Sequence, residues 1–198
     1  IPQNAIVSWT NNIGLKTFTV ASDNPLFGNN YFQMGGKVNW DWALGKIDFE
    51  LDLSSTTVQE DNLYINIGIL SDTIDLHTGQ FINIFISESN APFNDNLSNN
   101  SADIFDADEE VYKLKVPVDW DGWKLKSFPY SDFDAVSPNS TNINFSKNPK
   151  DIKGIRIATQ ACPSSGSNST CSENFNKIVR TDIDYVIFTE NEKLLDQE

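Results

Sequence analysis

Apolar and polar residues alternate along most of this chain with a period of two, which is typical of β-strands that are buried on one side only. In KIDFELDLS, residues 46–54, every second residue from Ile47 to Leu53 is apolar and the residues between them are acidic. This pattern predicts a strand with one core face and one wet, acidic face. LYINIGILS, residues 63–71, and FINIFIS, residues 81–87, read as central strands because isoleucine fills every second position.

The whole chain contains about ten such strand-like segments and no convincing amphipathic helix, which favours two packed antiparallel sheets. Three segments interrupt the pattern and are rich in Asn, Ser and Asp or Pro, so we expect surface loops there. They run from Asn90 to Glu110, from Ser137 to Pro149 and from Cys162 to Cys171. Because no linker separates the strands, we predict a single domain over residues 1–198.

Composition narrows the classes of partner. Apolar residues make up 39% of the 198 residues and aromatic residues 12%, which is enough to fill a sandwich core. No apolar run approaches the roughly 20 residues that cross a bilayer, so we expect no membrane-spanning segment. The net charge of −14 repels phosphate backbones and makes nucleic acid an unexpected partner. As a whole the acidic surface favours neutral or basic ligands and divalent cations.

The stretch from Glu110 to Phe133, EVYKLKVPVDWDGWKLKSFPYSDF, joins a half-buried strand, an aromatic turn, a second strand and a tight polar corner. It resembles the "GW…vPlsdF" signature of carbohydrate-binding β-sandwich modules with the galactose-binding-like jelly-roll fold. DIKGIRIAT and TDIDYVIFT, near the C-terminus, look like the paired late strands of those modules. The two matches cover about a third of the chain. The resemblance implies an antiparallel β-sandwich of jelly-roll type, similar to surface glycan-binding proteins, with Trp123 as the core tryptophan.

The resemblance also implies a metal site. Modules of this kind often hold a structural calcium ion between N-terminal loops and the last strand, and Asp184 matches a position that commonly supplies a carboxylate. Asp182 is a second candidate ligand. By simple alternation Asp184 shares a face with Val186 and Phe188, so a carboxylate on a core face needs a partner there, either a hard cation or backbone N–H groups.

A second acidic cluster has the density of a metal site but lacks the glycine and the spacing of an EF-hand loop. Most such clusters are simply solvated, and metal binding is less favoured there than at Asp184. The cluster consists of Asp103, Asp106, Asp108 and Glu109.

Sugar binding needs an aromatic ring to stack on the apolar face of a pyranose and a few polar groups to bond its hydroxyls. Trp40 and Trp42 lie two residues apart, so in an extended segment both side chains lie on one side and form a platform. Trp120 stands between Asp119 and Asp121, and we expect it to be at least partly exposed. Core or edge packing is the alternative for each of the three indoles.

The two cysteines, Cys162 and Cys171, flank a loop rich in Ser, Gly and Asn. A disulfide between them would pin this loop and would persist only in an oxidising compartment, so we expect an extracytoplasmic protein, secreted or at the cell surface. Ile1 begins on a polar stretch, so any export signal is expected to be removed already or to have been absent. Two free thiols are the alternative, while zinc lacks ligands because His77 is the only histidine.

Catalysis finds little support in the sequence. His77 has no accompanying nucleophile motif, although 28 acidic residues leave a glycosidase pair of carboxylates open. The favoured hypothesis is therefore non-catalytic binding of an oligo- or polysaccharide. The alternative is an adhesion or scaffold domain of a larger surface protein with further domains, and a small glycoside hydrolase is the third hypothesis.

Overall fold

The computed structural model describes residues 6–8, 16–21, 25–29, 31–37, 43–72, 81–90, 93, 109–136, 145–160 and 178–194. These residues form eleven strands and three single-turn 3-10 helices, and no α-helix occurs among them. The predicted all-β class is therefore confirmed. No helix in this described part is long and apolar enough to cross a membrane.

In chain order the strands are β1 (Ile6–Ser8), β2 (Lys16–Ala21), β3 (Tyr31–Lys37), β4 (Ala43–Glu50), β5 (Leu63–Asp72), β6 (Phe81–Ser87), β7 (Val111–Pro117), β8 (Gly122–Pro129), β9 (Asp134–Ala135), β10 (Gly154–Gln160) and β11 (Ile178–Glu190). The 3-10 helices span Glu60–Asn62, Tyr130–Asp132 and Pro149–Asp151. One sheet has six strands in the order β1-β4-β10-β6-β7-β9, and the other has five in the order β2-β3-β11-β5-β8. All neighbouring strands are antiparallel.

The core lies between the two sheets and is built mostly from isoleucine. The alternation in β5 and β6 works as the sequence predicted, because one face of each strand is fully buried in this core. β10 and β11, in the middle of the two sheets, contribute further buried isoleucines to this core. The described isoleucines with no exposed surface are Ile65, Ile67, Ile69, Ile82, Ile84, Ile86, Ile152, Ile155, Ile157 and Ile183.

Two expectations, one about the length of a strand and one about strand pairing, were wrong. The strand predicted over KIDFELDLS ends at Glu50, since the Leu51 N–H turns to the carbonyl of Lys153 at 2.7 Å. Leu51 still packs against the core after the strand has ended. The two late strands that we expected to be paired, β10 and β11, lie in opposite sheets and bond to other strands instead.

The outer face of the six-stranded sheet is closed by a second layer of buried side chains. Asp48, predicted to be wet, is only 8% exposed because Arg156 of the neighbouring strand binds it with two hydrogen bonds, Nε–Oδ1 at 2.6 Å and Nη2–Oδ2 at 2.9 Å. The guanidinium group lies 4.6 Å from the centre of the Phe93 ring. A small apolar cluster surrounds this pair and contains Phe85, Phe93, Val111 and Ala158, with Val136 at its margin.

Glu109 belongs to the same closed layer. Sequence analysis placed it in an acidic surface cluster, but its side chain is 3% exposed and accepts hydrogen bonds from Ser87 Oγ at 2.9 Å and from the Phe93 N–H at 2.5 Å. The carboxylate therefore anchors the segment that carries Phe93. The other members of that cluster, Asp103, Asp106 and Asp108, lie outside the described residues.

Candidate functional site

Large apolar side chains that reach solvent mark where a ligand could bind, and the described residues contain three of them. Phe27 is 61% exposed, Ile187 is 44% exposed and Phe145 is 38% exposed. Ile187 lies on the outer face of the five-stranded sheet, because it pairs with Asn66 while the isoleucines on either side of Asn66 face the core. Phe27 lies on the same face, where it contacts Tyr185 and Asp184 of β11.

A β-bulge in β11 determines which side chains lie on this face. Ile183 pairs with Ile69 and Val186 pairs with Ile67, so two residues, Asp184 and Tyr185, stand opposite the single residue Gly68. The Tyr185 ring lies directly on Gly68. A Cβ at that glycine would stand 2.9 Å from Tyr185 Cε1 and 3.1 Å from Leu26 Cδ2, so a side chain there would displace the tyrosine. Glycine is therefore what lets the ring lie against the sheet.

The bulge also holds Phe27. Its ring stands edge-on to the Tyr185 ring, with centroids 5.2 Å apart and an interplanar angle of 79°. Its backbone N–H donates to Asp184 Oδ2 at 2.5 Å. Gly28 follows with φ of 67°, a left-handed turn that a glycine adopts without strain. β11 therefore contacts both the ring and the backbone of Phe27 and braces the exposed ring from two sides. We call Phe27, Gly68, Asp184, Tyr185 and Ile187 the Phe27 platform.

One polar group inside the platform has no hydrogen-bond partner among the described residues. The Tyr185 hydroxyl oxygen is buried and makes no hydrogen bond within the part of the chain that the structure describes. Burial, together with the negative charge of Asp184, raises the pKa of Tyr185 above its ordinary value. The hydroxyl therefore keeps its proton at neutral pH and is a donor for an acceptor that moves into reach.

The structure gives Asp184 a role that sequence analysis had left open. The expectation that it shares a face with Val186 and Phe188 was wrong, because the bulge shifts the alternation after Ile183 and leaves Val186 and Phe188 packed against the core. The partner of its carboxylate is a backbone N–H, the alternative to a cation. Asp182 pairs with Leu70 and has no exposed surface.

The calcium site stays a prediction. Among the described residues no group of three or more His, Cys, Asp or Glu side chains could hold a metal ion. One oxygen of Asp184 is already occupied by the N–H of Phe27, whereas calcium takes six to eight oxygen ligands. The described residues alone therefore do not fit this ion.

The two indoles of DWDGW exchange the places that we predicted for them. Trp120, expected to be partly exposed, is 8% exposed and belongs to the core between the sheets. Trp123, expected in the core, pairs with Leu70 on the outer face, is half-buried and packs edge-on to Tyr31 at 5.4 Å. Gly122 lies between the two indoles, and its φ of 83° turns the chain just where β8 begins. Sugar contact by Trp120 stays a prediction without the exposure that motivated it.

Trp40 and Trp42 lie outside the described residues, but the strand ends on either side of them are well defined. β3 ends at Lys37 and β4 begins at Ala43, which pairs with Gln160. Gln160 pairs with Phe81, and Phe81 pairs with Pro117, the end of the strand before Trp120. Ala43, Gln160, Phe81 and Pro117 therefore lie in one row across the six-stranded sheet, and this row marks one end of the sandwich.

Cys162 and Cys171 also lie outside the described residues, and their disulfide stays a prediction. The strand before them ends at Gln160, in the row just described. The strand after them begins at Ile178, which pairs with Lys37. The strand ends that flank the cysteines therefore lie at the same end of the sandwich as those that flank the predicted tryptophan platform.

No protein-family model and no curated protein matches this sequence. Solved structures do match it. A family 30 carbohydrate-binding module aligns over 100% of this chain and 89% of its own, with a TM-score of 0.52 and 12% identity. The family 30 carbohydrate-binding module of a cellulosomal cellulase of Clostridium thermocellum aligns over 97% and 96%, with a TM-score of 0.50 and 12% identity. The chain has the β-sandwich fold of carbohydrate-binding modules.

A third match comes from work on the promiscuous specificity of carbohydrate-binding modules of the β-sandwich superfamily, with a TM-score of 0.50 and 9% identity. Our chain aligns over 94% of its residues and spans 57% of that structure's length. At such identities the likeness establishes the fold and leaves the ligand to be argued from this chain's own residues.

The Phe27 platform was not predicted from the sequence, although two signals for it were present. NPLFGNN, residues 24–30, puts a phenylalanine among Asn, Pro and Gly, and such a turn presents its apolar residue to solvent. Gly68 interrupts the alternation of LYINIGILS at an outer-face position, where a glycine in a strand indicates close approach of another group. Neither signal shows that Phe27 and Gly68 both contact Tyr185.

Proposed function

We propose that this protein binds an oligo- or polysaccharide without cleaving it, outside the cytoplasm, and that the Phe27 platform is part of the binding surface. The observation that carries the proposal is the exposed Phe27 ring, held edge-on by Tyr185 and anchored through its N–H by Asp184. A pyranose has an apolar face of C–H groups that stacks on such a ring. Because both contacts fix the ring before a ligand arrives, binding loses little conformational entropy.

The fold supports the proposal, since carbohydrate-binding modules share it. So do the partners of three buried carboxylates. Asp48 binds Arg156, Glu109 binds Ser87 and the Phe93 N–H, and Asp184 binds the Phe27 N–H. Each of these acids holds a strand or loop in place, which favours a structural role over one in glycoside hydrolysis.

Trp40 and Trp42 are a proposed second part of the surface. The flanking Lys37 pairs with Ile178, six residues along β11 from Asp184. At roughly 3.3 Å per strand residue, this separation is about 20 Å. A ligand that touches both the Phe27 platform and these tryptophans would have to be an extended oligosaccharide and not a single sugar.

Adhesion to another protein is the second candidate function. The exposed side chains of Phe27 and Ile187 lie on one face of the sheet, and adjacent apolar groups of this kind also suit a protein partner. Competition with soluble glycan distinguishes the two functions. Soluble glycan should displace a bound polysaccharide from a sugar-binding surface, but it should leave a protein partner bound to a protein-binding surface.

A screen of the purified protein against a broad panel of soluble neutral and acidic glycans tests the proposal. We expect binding to at least one of them, with no change in the chain length of the glycan after long incubation. Shortening of the bound glycan would contradict the non-catalytic part. Absence of binding across the whole panel would contradict the proposal itself and would favour the protein-binding alternative.

A further inference from the structure

A pair of lysines lies against Trp120 at the edge of the five-stranded sheet. Lys124 and Lys126 of β8 pair with Ile69 and Ile67, whose side chains face the core, so both lysines leave the strand on its core side. Their ammonium groups lie 6.0 and 5.3 Å from the centre of the Trp120 ring. Because β8 is the last strand of its sheet, the stems lie over apolar surface while the charged ends reach the rim. We call Trp120, Lys124 and Lys126 the Trp120 edge.

The two charges of this edge have no acidic counterpart in the described structure. Neither ammonium group lies within 4.0 Å of a carboxylate among the residues that the structure describes. This is unexpected in a chain with 28 acidic and 14 basic residues. Two neighbouring cations beside one ring repel each other, and an anion that contacts both would relieve the repulsion.

The indole adds a further group without a partner. Trp120 is 8% exposed, and its Nε1–H makes no hydrogen bond within the described part of the chain. An indole nitrogen is a donor only, so it and the two ammonium groups all seek acceptors. The edge therefore combines two charged donors that form no ion pair with one buried donor that makes no hydrogen bond among the described residues.

We propose that the Trp120 edge binds the acidic group of a saccharide, either the carboxylate of a uronic acid or a sulfate ester. This inference rests on the proposed function, and it adds the chemical class of the ligand. It also departs from the expectation that the acidic chain favours neutral or basic ligands, because charges within a few ångströms of a ligand act more strongly on it than the screened charge of the whole surface. Hydrogen bonds between an ammonium group and an anionic oxygen are among the stronger ones in proteins.

Titration calorimetry with three polymers tests this assignment: polygalacturonate, which carries carboxylates, carrageenan, which carries sulfate esters, and a neutral galactan. The variants are Lys124→Gln and Lys126→Gln, which remove one charge each, and Lys124→Arg and Lys126→Arg, which keep it. Lys150→Gln is the matched control, because Lys150 is an exposed lysine on the Pro149–Asp151 turn. Thermal melts confirm that each variant is folded.

We expect each glutamine variant to weaken binding of an acidic polymer by about five- to tenfold, as loss of one charge-assisted hydrogen bond does. Lys150→Gln should bind within about twofold of wild type, and the arginine variants should lose less binding than the glutamine variants, since they keep the charges at the edge. Whichever acidic polymer responds identifies the carboxylate or the sulfate as the natural group.

Unchanged binding of acidic polymers in the Lys124→Gln, Lys126→Gln double variant would overturn the inference and show that the lysines only pack on the indole. Binding of the wild type to neutral galactan alone would also overturn it, but would leave the proposed function standing. Absence of binding to these polymers and to every glycan of the broader panel would overturn both.

Discussion

The outer faces of the two sheets are covered by different kinds of side-chain contact. On the six-stranded sheet, Arg156 and Asp48 form a buried ion pair beneath Phe93, and Glu109 fastens the segment that carries this phenylalanine. On the five-stranded sheet, Tyr185 lies on Gly68 and supports Phe27, whose ring remains 61% exposed. Both faces carry aromatic residues, and among the described residues Phe27 on the second face is the most exposed of them.

The difference teaches where stability and where binding are to be found. Buried charges that satisfy each other hold a structure in one arrangement and are costly to separate. An exposed aromatic ring that is braced from two sides contributes little to the core and is available to a ligand. We therefore expect the largest losses of stability from substitutions on the six-stranded face, and losses of glycan binding from substitutions on the five-stranded face.

Arg156→Ala should have the largest effect on stability. It leaves the nearly buried Asp48 carboxylate without its partner, and separating a buried ion pair costs about 3–5 kcal/mol. Urea unfolding measures the change. Lys153→Ala is the matched control, because Lys153 forms an exposed pair with Asp52, and its unfolding midpoint should stay close to that of wild type. Equal midpoints for the two variants would remove the distinction between the faces.

Gly68→Ala should disturb the Phe27 platform. The new Cβ would meet the Tyr185 ring at 2.9 Å, so we expect a loss of about 1–3 kcal/mol from overpacking together with weaker glycan binding. In a Tyr185→Ala background the same change should cost less, because the contact with Leu26 Cδ2 at 3.1 Å then remains and the closer one with the ring is gone. Urea unfolding of the four proteins gives this coupling. A coupling of zero would mean that Tyr185 does not depend on the glycine.

Asp184→Ala should lower the free energy of unfolding by about 1–3 kcal/mol, because it leaves the Phe27 N–H without its acceptor. Thermal melts with and without EDTA then decide between this hydrogen bond and the predicted calcium ion. If the hydrogen bond is the whole role of Asp184, chelation leaves the melting temperature of the wild type unchanged. A fall in chelator that the variant lacks would establish the metal instead.

Glu88 makes the stability depend on pH. Burial raises its pKa to about 7 from the ordinary 4.5, against the lowering effect of hydrogen bonds from the Tyr130 hydroxyl and the Asn148 N–H, and the charges of Glu110 and Asp151 add to the rise. Between these two pKa values the native state holds a proton that the unfolded state has released. The free energy of unfolding therefore falls as the pH rises through this window.

Glu88→Gln removes this titration while keeping an oxygen for both donors. We expect its free energy of unfolding to change less between about pH 4.5 and pH 7 than that of wild type, and to exceed it above this window. Urea unfolding at several pH values measures both curves. Parallel curves for the two proteins would place the titrating group elsewhere.

Much of the fold was predictable because it depends on alternation, which a sequence displays directly. The isoleucines of β5 and β6 are buried as their spacing predicted, and the FPYSDF corner forms a 3-10 turn that buries Tyr130 and Phe133. These features depend on residues close in sequence, so local patterns are enough to find them.

The candidate site was less predictable because it depends on single-residue shifts and on distant contacts. The bulge at Asp184 and Tyr185 reverses the alternation of β11, and the turn at Gly122 lies between the two indoles of DWDGW. The exposure of Phe27 depends on Gly68 in another strand. Contacts of this kind become visible only when strand register is known.

The most direct test of our account compares Phe27→Ala with Phe145→Ala in calorimetric titrations with the glycan that the panel identifies. Both replace an exposed phenylalanine, but only Phe27 belongs to the braced platform. We predict that Phe27→Ala weakens binding about ten- to a hundredfold, which corresponds to roughly 1.4–2.8 kcal/mol, and that Phe145→Ala binds like wild type. Wild-type affinity in a folded Phe27→Ala protein would contradict the account.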